Sequence, residues 1–182
     1  CFQCVGSRDT HERKNDYWSG VCWRYAAKEA VIAKEHAHGD LEPTIFYMDI
    51  RTYGKDFEEY YNRARNEHGV RFIRSRVHTV NPLEDGNLEI TYIDDNGELK
   101  SEIFDLVVLS VGFQVGEESV KLAGRLGIEL NKYNFARTDG FAPVATTKKG
   151  IFVCGAIQGL KDIHQLVMEE SAAAAASSVL LS

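Results

Sequence analysis

The sequence is poor in cysteine and in long apolar runs, and each shortage removes a class of protein. Four cysteines, Cys1, Cys4, Cys22 and Cys154, are too few in 182 residues for a disulfide-stapled secreted scaffold. Reduced thiols are therefore expected. No stretch approaches the roughly 20 apolar residues that span a bilayer, and no charged-then-apolar leader precedes the first strand, so a soluble cytoplasmic protein with no membrane span is expected. Basic charge is not in excess: 21 Lys and Arg face 27 Asp and Glu, for a net charge of -6. Nucleic acid is not expected as a partner, because phosphate binding needs a basic face and here the cations are interspersed with acids. The phosphate-cradling pattern G-x-G-x-x-G does not occur, since no two of the glycines are two residues apart.

What the chain does have is enough apolar material for one globular domain or two small ones, with 44% hydrophobic and 26% charged residues. It opens at Cys1 with a strand already under way, so the natural protein is expected to extend upstream. Residues 2–5 form that strand, and a polar loop over 6–19 follows. Apolar positions at helical spacing predict a helix over 21–36 with a stop at Gly39. The near-continuous run TIFYMDI (44–50) predicts a strand buried on both faces. A helix over 56–67 and a strand over 70–77 complete a strand-helix-strand-helix-strand order, which signals parallel pairing through right-handed crossovers.

The pattern then changes. Residues 88–93, the turn Asp94-Asp95-Asn96-Gly97 and residues 99–104 read as a hairpin in an antiparallel meander at about 78–104. DLVVLSV (105–111) reads as a further buried strand closed by Gly112. The fold class is thus α/β, a Rossmann-like parallel sheet with an inserted antiparallel meander, filling residues 1–112. Beyond it come a short helix at 119–126, a loop or edge at 138–142, a strand at 150–154 (GIFVC), and a long Ala-rich helix at 163–181.

The junction GIFVCGAIQGLKDIHQ carries the most chemistry. A strand runs through small residues into a helix start, so backbone N–H groups around Gly155, Ala156 and Ile163 are placed to meet an anion or an electron-rich ring edge. The same small residues also suit an ordinary tight strand-helix junction. At the other end of the chain a single glycine, Gly6, stands where a pyrophosphate would favour three, so ordinary NAD binding is not expected. Ser7, Arg8 and Asp9 suit a different anion or a neighbouring cofactor, or an Arg8–Asp9 pair that fixes the loop. His11, His36, His38, His68, His78 and His164 show no metal spacing.

The segments CVGSRD (4–9), FYMDIRTYGKDFEEYYNRAR (46–65), GVRFIRSRV (69–77), DLVVLSVG (105–112) and GIFVCGAIQGLKDI (150–163) resemble the heterodisulfide reductase A family, thioredoxin-reductase-like flavoproteins that contain FAD. The resemblance covers nearly the whole chain and implies the second half of the flavoprotein core. Residues 1–112 would be a pyridine-nucleotide-type domain and residues 113–182 the C-terminal portion of an FAD-binding domain. It implies an oxidoreductase that passes electrons between flavin and iron-sulfur centres in a complex with other redox subunits, of which the isolated chain would be an inactive piece. It places Gly112, Gly155, Ala156, Gln158, Gly159, Lys161, Asp162 and Ile163 beside FAD, with Lys161 holding negative charge near the flavin pyrimidine and Asp162 also suited to capping the helix. A non-catalytic docking module, a degenerate Rossmann domain kept for its surface, is the alternative.

Relatives are similar to Tyr-Cys-Ser-x-x-Cys-Cys where this chain has Tyr17-Trp18-Ser19-Gly20-Val21-Cys22-Trp23. A four-iron cluster uses four thiolates, and tryptophan stands at two of those positions. Cys4 and Cys22 are the candidate metal ligands that remain. Cys154 reads as a small hydrophobe rather than a catalytic thiol. With a strand edge and an apolar helix face expected at 150–181, self-association of the chain, or folding back of this segment, is anticipated, with Ile151, Val153, Leu166 and Val167 in the buried contacts.

Overall fold

The computed structural model describes residues 1–8, 15–37, 41–51 and 54–181. Asp9, His11, His38 and Gly39 lie outside the described residues. The chain divides into two compact units, Cys1–Gly112 and Phe113–Ser182.

The first unit runs β1 (Phe2–Val5), α1 (Cys22–His36), β2 (Thr44–Tyr47), α2 (Phe57–Asn66), β3 (Arg71–Arg74), β4 (Thr79–Pro82), β5 (Leu88–Ile93), β6 (Leu99–Phe104) and β7 (Leu109–Val111). Four strands form a parallel sheet in the order β3-β2-β1-β7. The chain therefore steps outward through β2 and β3 and later returns to the other side of β1, which makes the end of β1 a topological switch point. β4, β5 and β6 form the antiparallel meander, with β5 and β6 in continuous register from Leu88↔Phe104 to Ile93↔Leu99.

The two faces of the parallel sheet are covered by different material. On one, α1 lays down Ala26, Ala27 and Ala30, whose small side chains let the helix approach closely, and Trp23, Val31, Ile45, Ala64 and Val70 complete the cluster. On the other, the meander brings Ile90 and Tyr92 against Phe2 and Phe46. Phe46 is the centre of this second core, with ring centroids of Tyr92, Phe2 and Phe104 at 5.0, 5.6 and 5.9 Å, all edge-on, the arrangement that the ring quadrupole favours. The hairpin turn is closed by Asp94, whose Oδ1 accepts from the Asn96 and Glu98 N–H groups at 2.9 Å, and by Gly97 at φ 81.

The second unit contains α3 (Glu117–Leu126), β8 (Thr138–Asp139), β9 (Ala142–Thr146) and α4 (Ile163–Leu181). α3 ends on Gly127 at φ 72, with Ile128 N donating to Ala123 O, a Schellman stop. Its buried hydrophobic residues are Ala123, Phe135, Ala136 and Val144, and α4 contributes none.

Several expectations are corrected. β2 stops at Tyr47 and β3 covers only Arg71–Arg74, the span over which the two strands pair, from Thr44↔Arg71 to Tyr47↔Arg74. The segment 105–111 is not a buried strand: β7 is three residues long and lies at the sheet edge, where Leu109 and Val111 are more than half exposed. β4 was not anticipated as a separate strand; Pro82 ends it at the outside of the meander, where no ladder N–H is required of it. Residues 150–154 do not form a regular strand. They run beside β9 through one isolated bridge, Ala145↔Phe152, while β8 and β9 supply the hairpin where a loop or edge was expected. Within the single chain Val167 is 57% exposed.

Candidate functional site

In the first unit, chemistry gathers at the carboxyl end of the parallel strands. Leaving β1, Gly6 has φ 77 and Arg8 has φ 56, so the chain turns sharply over the sheet. Asn15 Nδ2 donates to Gly6 O at 3.3 Å and Arg8 N donates to Tyr17 O at 3.2 Å, which pins the loop from its far side. Gly112, just beyond β7, donates its N–H to Val5 O at 2.8 Å. A Cβ there would come within 3.2 Å of Gly6 O and 3.3 Å of Ser7 Cβ, so Gly112 allows the two chain segments to touch. A cavity of about 640 Å³ opens beside the loop, lined among others by Gly6, Ser7, Arg8, Met48, Arg76 and His78.

Arg8 Nη1 donates to Asp49 Oδ1 at 2.7 Å. Asp49 follows β2, the position at which dinucleotide folds present an acid to a ribose, and here it is engaged by an arginine from the β1 loop. Adjacency along the chain pointed to Asp9 as the partner of Arg8 and left Asp49 unnoticed; the signal available was an acid just past a strand next to β1. Ser7 is 5% exposed and its hydroxyl has no hydrogen-bond partner among the described residues.

Cys4 lies in the same place. Burial pushes its thiol up, the adjacent Arg8 guanidinium opposes that shift, and the Asp49 carboxylate adds to it. Cys22 opens α1, its Sγ 3.1 Å from Ser19 Oγ and 3.7 Å from Val111 O. All four cysteines are free. Trp23 is 4% exposed, buried under α1 and edge-on to Tyr61, whereas the ring of Trp18 lies 5.0 Å from the Arg51 guanidinium. Among the described residues no group of three or more His, Cys, Asp or Glu side chains is placed to hold a metal ion.

In the second unit, Gly155 takes φ 88 and Gln158 N closes a turn onto Gly155 O at 3.0 Å. A Cβ at Gly155 would meet nothing within 4 Å, so the space beside it is open. Asp162 and Gln165 form a reciprocal capping box at the start of α4, Gln165 N donating to Asp162 Oδ1 at 2.8 Å and Asp162 N to Gln165 Oε1 at 3.1 Å. The Lys161 ammonium is paired with Glu169, one helical turn and more along α4, a partner not expected from the sequence. The Gln158 amide donates to Pro143 O while its Oε1 is buried without a partner among the described residues. Gly155, Ala156, Gln158, Gly159, Lys161, Asp162 and Ile163 thus lie together in one turn and helix start, whereas Gly112 belongs to the first unit. Cys154 is half-buried with no cysteine partner, and His164 is exposed on α4.

A parallel sheet in the order β3-β2-β1-β7, carrying a three-stranded antiparallel meander, is a Rossmann-like build. The chain belongs to the pyridine nucleotide-disulphide oxidoreductase family, whose model matches residues 40–177. It is 41% identical over 184 residues to the iron-sulfur A subunit of the CoB–CoM heterodisulfide reductase of Methanocaldococcus jannaschii, covering 98% of this chain and 27% of that protein. It is 39% identical over 181 residues to a heterodisulfide reductase A-like protein of Archaeoglobus profundus, covering 98% and 25% respectively. The A subunit of the H(2)/formate:CoB-CoM heterodisulfide,ferredoxin reductase of Methanococcus maripaludis is 40% identical over 185 residues, covering 100% of this chain and 28% of that one. The resemblance to the heterodisulfide reductase A family is therefore borne out along the whole chain, and the chain spans about a quarter of the length of these relatives. The solved bacillithiol disulfide reductase Bdr (YpdA) from Bacillus cereus aligns over 82% of this chain and 48% of its own at 15% identity and a TM-score of 0.47. Among the described residues no helix is long and apolar enough to cross a membrane.

Proposed function

We propose that this chain is part of an FAD-dependent electron-transfer oxidoreductase of the heterodisulfide reductase A kind, acting in the cytoplasm with other redox subunits. In this reading residues 1–112 are the pyridine-nucleotide-type domain and residues 113–182 the closing portion of the FAD-binding domain. The observation that carries it is the match to heterodisulfide reductase A proteins over 98% to 100% of this chain. When bound, FAD supplies the electron-accepting ring system, and the protein positions it and tunes its potential.

The residues present fit FAD in part. The open space at Gly155 lets a flat ring edge approach the backbone, and at the start of α4 the Asp162 side chain and carbonyl take the Gln165 and Leu166 N–H groups, leaving Ile163 and His164 N–H to face an acceptor. Lys161, held by Glu169, sets a positive charge beside that turn, and Gln158 Oε1 offers an acceptor to a ring N–H. Gly112 acts in its own unit by bringing the end of β7 against the β1 loop. The phosphate cradle G-x-G-x-x-G is absent from these 182 residues, so the chain alone should bind FAD weakly. A four-iron cluster does not fit: Cys4 and Cys22 supply two of four thiolates, and the side chain at position 23 is packed into the core.

The second reading, a degenerate Rossmann docking module, is favoured by one observation: Asp49 and Arg8 engage each other at the switch point, where a nucleotide would need them free. Titration of the chain with FAD and with NADH separates the two. The oxidoreductase reading expects weak, saturable FAD binding that Gly155→Val weakens further; FAD binding undetectable at millimolar concentration would favour the docking module.

A further inference from the structure

We propose that β6 is an interface between two copies of this chain, which join edge to edge about a two-fold axis through Ser101 and merge their meanders into one continuous antiparallel sheet. The inference does not rest on the flavin reading above. It starts from the place of β6 in the meander, whose order β4-β5-β6 leaves that strand paired on one side only among the described residues. An edge of this kind offers a row of backbone donors and acceptors to another strand.

The ladder decides which residues present those groups. Thr91 O accepts from His78 N–H at 2.9 Å on the β4 side, so Thr91 faces β4 and its neighbours Ile90 and Tyr92 face β6. Their partners Glu102 and Lys100 turn their N–H and C=O groups towards β5, as Glu98 O does in accepting from Asp94 N at 2.9 Å. Antiparallel alternation then turns the N–H and C=O groups of Leu99, Ser101 and Ile103 out from the edge. The side chains alternate as well. Lys100 and Glu102 share the face of Ile90 and Tyr92, whereas Leu99, Ser101 and Ile103 stand on the other face, where Leu99 is 68% and Ile103 63% exposed beside Ile93 at 53%.

Charge selects the register in which a second copy of β6 fits this edge. Outward residues must lie opposite outward residues, which lets the axis pass through Lys100, Ser101 or Glu102; moving it further in either direction shortens the overlap. An axis at Lys100 sets two ammonium groups opposite each other and an axis at Glu102 sets two carboxylates, and like charges directly opposite are destabilising. With the axis at Ser101, Lys100 of each copy meets Glu102 of the other, and Leu99 of each lies opposite Ile103, with Ile93 extending the apolar stripe on both sides. Both charged groups are available. Arg71 and Tyr92 fix the Glu102 carboxylate in place, and a carboxylate has further acceptor sites. Lys100 is tied only to Glu98 at 2.6 Å and Asp94 at 3.7 Å, surface pairs of little worth. The contact is isologous, so it closes as a dimer.

The test uses the whole 182-residue chain, followed by sedimentation and by residue-level amide exchange at rising concentration. The expected result is a dimer whose formation protects the amides of Leu99, Ser101 and Ile103, alternating with those of Lys100 and Glu102, which are protected at every concentration. Ser101→Pro removes an outward N–H without touching the β5 ladder and should abolish that protection. Lys100→Glu and Glu102→Lys each set like charges opposite one another in their own dimers, and each should pair about tenfold more weakly. Mixed in equal amounts, the two variants restore opposite charges at both positions and should pair as the unmodified chain does. Exchange at Leu99, Ser101 and Ile103 that does not depend on concentration, or a mixture that pairs no better than either variant alone, would overturn the proposal and leave the edge to a strand of a different protein.

Discussion

In residues 1–112 the parallel sheet is covered on both faces, by helix α1 around Ile45 and by the meander around Phe46, each of these 2% exposed. In residues 113–181 four hydrophobic side chains are buried, and the 19-residue helix α4 buries none of its own while presenting Ile163, Val167, Met168, Val179 and Leu181 more than half exposed. The first region offsets the entropy of ordering with apolar burial. The second has short hairpin strands, an Asx-type loop around Asn131 and a capping box, all of them local polar devices worth about 1 kcal/mol each. A region held by local bonds around a small core is one whose stability depends on what else covers it.

The largest effect that should separate the two regions is loss of the ring at the centre of the meander-side core. Phe46→Ala should destabilise the first unit by about 3–5 kcal/mol, since it leaves a cavity among three edge-on rings. At concentrations where the chain is monomeric, Val167→Ala on α4 should change stability by no more than about 0.5 kcal/mol, as an exposed substitution does. Denaturant unfolding of both variants checks the contrast; equal losses would mean that α4 is covered in solution.

A second measurement bears on that cover directly. Sedimentation of the chain over a range of concentrations should show self-association through the exposed apolar side of α4, and Val167→Glu with Met168→Glu should remove it. A monomer at every concentration would show instead that the helix is satisfied as it stands.

The capping box gives a smaller effect confined to the second unit. Asp162→Ala should cost about 1 kcal/mol and speed amide exchange in the first turn of α4, with no change at β1 to β7. Exchange that quickens in both units would break the comparison, because it would make them one cooperative block.

The smallest effect concerns acid. Burial pushes the Glu102 carboxyl up, but hydrogen bonds from Arg71 and Tyr92 and the charge of Arg71 outweigh it and hold the carboxyl below its ordinary value. A carboxyl held low in the folded state adds stability that is present above the unfolded value and is lost as pH falls through the folded one. Glu102→Gln should therefore flatten the acid limb of stability against pH below about 4.3, the ordinary glutamate value, and the loss at neutral pH should stay near about 1 kcal/mol because the pair is partly exposed. An unchanged acid limb would remove Glu102 from the account of the first unit.

Much of the architecture was legible along the chain. Helical spacing marked α1 to within a residue, the Asp94–Gly97 turn marked β5 and β6 to the residue, and the strand-helix order announced the parallel sheet, because these features depend on side-chain period and turn chemistry that are local. The candidate turn at Gly155 to Ile163 was legible for the same reason: a glycine at positive φ and an Asp-x-x-Gln cap are written in adjacent residues. What the sequence did not carry was register and pairing. That residues 105–111 yield a short edge strand, that residues 150–154 lie beside β9 by a single bridge, and that Arg8 takes Asp49 from the neighbouring strand are consequences of which segments meet in space. The bulge at Cys4 is the sharpest instance. Nothing in CVGSRD distinguishes a regular strand from a bulged one. It shows only in the mismatch between β1 and β7, where Phe2 and Val5 pack on one side of the sheet.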